Sequence, residues 1–159
     1  MNERPCTSGD VDNLWFLNSW LIVRRSAMAG PDGVSIIEHH DPCGDSPPTH
    51  VHHREDEIFH ILEGSLRLKL GERELVARAG ETVVAPKGVP HSFRVESTAG
   101  ARYLTIVTGS GFESLVRSVS RPATARALPR PVAATPDMIA ELARAAALSG
   151  IEIVGPPMN

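Results

Sequence analysis

The chain has 159 residues, 42% of them apolar and 4% aromatic, with a formal net charge of −3 and a pI near 6.1. That length fits one domain around a single, mostly aliphatic core, and the mild acidity without a Lys/Arg-rich block argues against a nucleic-acid surface. Two cysteines, Cys6 and Cys43, make no disulfide framework. The N-terminus lacks the apolar core of a signal peptide, and the run 15–23 is too short to cross a bilayer, so a soluble cytoplasmic protein is expected.

Short apolar runs punctuated by Gly and Pro predict an all-β sandwich or barrel up to about residue 107. Strands are expected near 15–24, 34–39, 50–53, 57–62, 65–70, 73–77, 82–85, 91–96 and 102–107. Ala29-Gly30-Pro31-Asp32-Gly33 predicts a reversal, because Pro fixes φ and Gly allows a positive φ. Glu63-Gly64 and Gly71-Glu72 predict tight hairpin connections. Between them Leu66, Leu68 and Leu70 alternate with Arg67 and Lys69, so the leucines face a core and the cations face water.

The character changes after Gly109. A short helix is expected over 112–119, then a Pro/Ala/Arg-rich linker over 121–136. Thr135 offers an N-cap, Pro136 suits the first helical position, and Gly150 a stop. Ile139, Leu142, Ala143 and Ala146 form an apolar stripe at helical spacing. The expected division is a β-barrel over 1–110 and a linker with a C-terminal helical tail over 111–159, packed on the barrel or lying as a lid over its mouth.

His50, His52, Glu57 and His91 carry the chemistry. Successive strand side chains point to opposite faces, so His50 and His52 point one way and Val51 the other. Three imidazoles and one carboxylate suit a divalent transition metal: iron, manganese, nickel, cobalt or zinc. An ion preferring five or six ligands would keep one or two positions for a substrate.

The spacing Gly44-x5-His50-x-His52-x4-Glu57-x6-Gly64, followed by Gly80-x5-Pro86-x-Gly88-x2-His91, resembles the two motifs of the cupin superfamily, and in particular small single-domain bacterial cupins likened to quercetin dioxygenases. The resemblance implies a double-stranded β-helix, or jelly-roll barrel, with His50, His52, Glu57 and His91 as metal ligands. Val95 stands where the family's second motif usually has Asn. Such cupins imply a dioxygenase; an apolar pocket around a metal suits a small apolar or aromatic, oxygen-bearing substrate, to be deprotonated by Glu57 or by a bound hydroxide. A non-redox isomerase, cyclase or decarboxylase and a binding module without catalysis are the alternatives.

Phe59, Ile61, Phe93 and Val95 share the inward parity of the ligands and are expected to line a substrate pocket. Of Arg102 and Tyr103, one faces in. His53 and His60 point outward, and His39 and His40 are expected in the loop before the first motif. Ile58 and Leu62 also face outward and need cover, from the N-terminal strand or from a second subunit in a homodimer.

Overall fold

The structure, a computed structural model, describes residues 12–28 and 33–159. Cys6 and most of the expected reversal at 29–33 lie outside the described residues; Cys43 is an exposed free thiol.

Among the described residues twelve strands and two helices follow in chain order: β1 Asp12–Phe16, β2 Ser19–Arg25, β3 Val34–Asp41, β4 Pro48–His52, β5 Glu57–Glu63, β6 Ser65–Leu70, β7 Arg73–Arg78, β8 Thr82–Ala85, β9 His91–Val95, β10 Ala101–Thr108, α1 Gly111–Val119, β11 Arg121–Pro122, α2 Pro136–Leu148 and β12 Ile151–Pro157. The strands form two antiparallel sheets, the jelly-roll arrangement expected. One has the order β11-β1-β2-β3-β10-β5-β8, the other β12-β4-β9-β6-β7. The apolar core between them is built on Phe59, Ile61, Leu66, Leu68, Val95 and Tyr103. Leu66 and Leu68 are buried as their alternation requires, and Leu70 is half-buried.

Local chemistry explains the turns. Gly64, with φ 78°, joins β5 to β6, and a Cβ there would sit 2.6 Å from the Gly100 carbonyl oxygen, so no other residue fits. The single strand expected over 15–24 is instead the β1–β2 hairpin, broken at Leu17 and Asn18. Leu17 takes φ 53°, and Asn18 exchanges two hydrogen bonds with the backbone of Val132, at 2.9 and 3.2 Å. Local apolar character hid that turn, and a contact more than a hundred residues away fixes it.

Residues 111–159 do more than pack helices on a barrel, because they supply β11 to one sheet and β12 to the other. The α2 helix starts at Thr135, whose hydroxyl accepts from the Met138 N–H, and ends before Gly150 at φ 76°. Its packed face is Leu142, Ala145 and Ala146. Ile139 and Ala143, expected in that stripe, are exposed, because β12 and α1 rather than a flat barrel wall set the packing direction. The α1 helix is held by Glu113, fully buried, which accepts from Ser26 Oγ, the Ala27 N–H and Arg117 Nε.

Candidate metal centre

His50 and His52 lie on β4, Glu57 opens β5 and His91 opens β9. His50 pairs directly with His91 across the β4–β9 ladder, which brings the two motifs together. One ligand atom from each of the four residues lies within 4.8 Å of every other. The imidazole centroids are 4.5 Å apart for His50 and His91, 5.3 Å for His50 and His52, and 5.4 Å for His52 and His91. His52, Glu57 and His91 are buried and His50 is half-buried.

The outer nitrogens fix the inner ones. His50 Nδ1 donates to the Pro48 carbonyl at 2.7 Å, and His91 Nδ1 to the Val89 carbonyl at 2.9 Å. A carbonyl only accepts, so both rings carry their proton on Nδ1 and turn Nε2 inward. His91 Nε2 then meets Glu57 Oε2 at 3.1 Å, lone pair against lone pair, an arrangement that calls for a cation or a proton between them. His52 Nε2 is buried, 3.4 Å from the same oxygen, without a hydrogen-bond partner. An orphaned imidazole nitrogen, a carboxylate and two inward nitrogens are a donor set that fits a divalent transition metal.

The electrostatics agree. Burial would raise Glu57, but His52, His91 and His50 outweigh it and hold the carboxyl near 2. Burial, then the neighbouring His91, push His50 down to about 4. Burial works against a charged His52, but Glu57 and Glu55 raise it above its ordinary value.

Glu55 was not singled out from the sequence. Its carboxylate lies 3.3 Å from His52 Nδ1 and accepts the Gly111 and Phe112 N–H groups at 2.5 and 3.0 Å. It therefore caps α1, whose own Ser110 makes no side-chain cap, and ties that helix to a candidate ligand. The signal was its position, three residues after His52 and two before Glu57; its partner α1 is far along the chain.

The cluster opens onto a cavity of about 130 Å³ bordered by His50, His52 and Glu57. Of the expected pocket residues only Phe93 lines it. Phe59, Ile61 and Val95 are buried but belong to the inter-sheet core, so inward parity did not separate cavity wall from core. The remaining wall comes largely from Phe16 and Leu17 of the β1–β2 hairpin, Phe112 and Leu115 of α1, Leu142 of α2 and Ile153 of β12. No Lys or Arg lines it among the described residues.

Other histidines divide as follows. His39 and His40 are on β3 and not in a loop, since β3 runs on to Asp41. His39 is buried on the cavity wall, stacked on Tyr103 at 4.7 Å and on Phe112 at 6.0 Å. Burial pushes it down to about 4, so it is neutral near pH 7. His40 faces out, stacked on Trp20 at 4.2 Å. His53 is exposed and pairs with Glu152, and His60 bonds Thr82. Tyr103 is the inward member of its pair and Arg102 the outward one. Burial, then Asp41, push the Tyr103 phenol well above its usual value, so it keeps its proton.

Comparison with known proteins finds one matching family model, one related sequence and a shared fold. Residues 37–107 match the family model described as Cupin domain. The quercetin 2,3-dioxygenase of Bacillus subtilis (strain 168) is 33% identical over 91 residues, covering 57% of this chain and 27% of that enzyme, so the chain spans about a quarter of its relative's length. Among solved structures, a predicted oxalate decarboxylase from Thermotoga maritima superposes with a TM-score of 0.57 at 20% identity, over 69% of this chain and 99% of that one. The Cnp3 cupin domain of Schizosaccharomyces pombe does so at 0.54 and 14% identity, over 67% and 75%. These two likenesses show the shared fold.

Proposed function

We propose, from the premise that this chain is a cupin, that it is a metal-dependent dioxygenase acting on a small apolar or aromatic substrate that carries an oxygen donor. The observation that carries the reading is the convergence of three inward imidazole nitrogens and the Glu57 carboxylate on the border of an apolar cavity. His50, His52, Glu57 and His91 would hold the metal. When bound, a divalent metal supplies Lewis acidity toward a substrate oxygen and, for a redox-active ion, electrons for dioxygen chemistry.

The chain's own residues do the rest. The Nδ1 hydrogen bonds hold the three rings in one tautomer and orientation. The wall of Phe93, Phe112, Leu115 and Leu142 excludes water and suits an uncharged ring. The absence of a lining cation among the described residues disfavours a phosphorylated sugar. Glu57 is the anionic donor and the proposed acceptor, at Oε2, of the proton that a phenol or enol gives up on binding. Its low proton affinity restricts that role to acidic substrates. The B. subtilis relative's name supports the oxygenase reading over a non-redox isomerase, cyclase or decarboxylase.

Oxygen uptake with phenols and enols, on protein loaded separately with iron, manganese, nickel or zinc, tests it. Uptake with a redox-active ion and none with zinc is expected. Equal turnover with zinc in the absence of oxygen would replace this reading with the non-redox one, and tight retention without turnover would leave a binding module.

The outer face of the larger sheet supports a homodimer. Ile36, Ile58 and Ile106 stand in one register row across β3, β10 and β5, with half-exposed Leu62 and Leu104 beside it. The hairpin of β1 and β2 extends the sheet instead of covering this face. A second copy is the proposed cover, since an apolar face packs well on its own image.

A further inference from the structure

The cavity wall has a second polar pole that the metal donors do not use. Asp41, the last residue of β3, is 4% exposed and borders the cavity. Its Oδ2 accepts from the Tyr103 hydroxyl at 2.6 Å, while its Oδ1 is buried with no hydrogen-bond partner. Asp45 borders the same cavity. Burial first, and the Asp45 carboxylate second, push Asp41 up to about 7, against the lowering influence of the Tyr103 and Ser19 hydroxyls.

Behind Asp41 runs a chain of groups that can each donate or accept. Tyr103 Oη is 3.3 Å from His39 Nδ1, and His39 Nε2 is 3.0 Å from Thr105 Oγ1. In one complete arrangement Thr105 donates to His39, His39 to Tyr103 and Tyr103 to Asp41. In the other Asp41 donates to Tyr103, Tyr103 to His39, His39 to Thr105, and Thr105 to the Ile37 carbonyl, 3.5 Å away. Both satisfy every member of the chain, and both leave Asp41 Oδ1 as the one oxygen without a partner.

We propose that Asp41 Oδ1 anchors a ligand hydroxyl, separate from the oxygen that meets the metal donors, so that the cavity selects a hydroxylated single ring. The inference rests on the function proposed above and names the substrate class of that same site. A hydroxyl both donates and accepts, so it pairs with the carboxyl group in either protonation state; an ether offers no donor and an ammonium requires the ionised form. The size agrees: about 130 Å³ is close to the roughly 150 Å³ cavity that accepts benzene in another protein.

Zinc-loaded protein, its metal content verified by elemental analysis, is titrated calorimetrically with benzoate, with 3- and 4-hydroxybenzoate, and with their methoxy counterparts. At least one hydroxybenzoate should bind about tenfold or more tightly than benzoate, and its methoxy counterpart should not. In Asp41→Leu, the hydroxybenzoate should bind no more tightly than benzoate measured on the same variant. Equal binding of benzoate and both hydroxybenzoates, binding of none of them, or a gain that survives Asp41→Leu overturns the proposal. Should Asp41→Leu not fold, because Tyr103 loses its acceptor, the ligand series on the unmodified protein decides alone. Failure to take up zinc sinks the metal reading instead, and the same series on metal-free protein then decides the role of Asp41.

Discussion

At the scale of single residues, the support behind the donors decides how well they can work. Glu55 is joined to His52 Nδ1 and to two N–H groups of α1. Glu55→Gln replaces an oxygen that accepts with a nitrogen that donates, and metal affinity should fall by about 10- to 100-fold, measured against a competing chelator. Unchanged affinity would confine Glu55 to capping the helix. Protons compete with metal for imidazole, and against the effect of burial Glu57 and Glu55 raise the pKa of His52 from its ordinary value. Metal affinity should therefore decline on acidification starting above pH 6.5, as titrations at stepped pH would show. Asp41 has the opposite sign from a salt-bridged carboxylate. Its folded-state pKa is raised from 3.8 to about 7, so its protonated form stabilises the fold below 3.8, and that contribution is lost as pH rises through 7. Asp41→Asn keeps the shape without the ionisation. Its stability relative to the parent should grow between pH 4 and 8 by up to roughly 4 kcal/mol in denaturant melts; a pH-independent difference would contradict the shift.

Among the elements, β12 deserves the most weight because the local pattern concealed it. It pairs along β4 on the side opposite β9, and its partners there include both His50 and His52. Deleting residues 151–159 would turn β4 into an edge strand and remove Ile151 and Ile153 from the cavity wall. The truncated protein should lose both thermal stability and metal affinity; a loss of stability alone would mean that β9 suffices to position β4. The strand was hidden because Gly155, Pro156 and Pro157 read as loop residues, whereas an edge position tolerates proline and the register shifts that accompany it. In contrast, β6 and the start of α2 were legible. Strict alternation over Ser65–Leu70 and the Thr135-Pro136 cap are local signals that need no distant partner.

At the scale of the whole molecule, the half-exposed row of Ile36, Ile58 and Ile106 carries the assembly proposal. Ile106→Arg places a charge in the centre of that face without touching the cavity. Solution scattering should then report a dimer for the parent chain and a monomer for the variant, with metal affinity unchanged; a monomeric parent would reject the dimer. By itself the sequence pointed to the four candidate metal donors, the β-sheet alternation and the family likeness, because ligand spacing, strand parity and capping are properties of neighbouring residues. Only the tertiary structure decided that Glu55 joins His52 to α1, that Phe93 borders the cavity while Phe59 and Ile61 do not, and that Asp41, Tyr103 and His39 form one chain of hydrogen bonds. Those relations join strands and helices far apart along the backbone, and inward parity is the same for a side chain that meets another side chain and for one that meets an empty space.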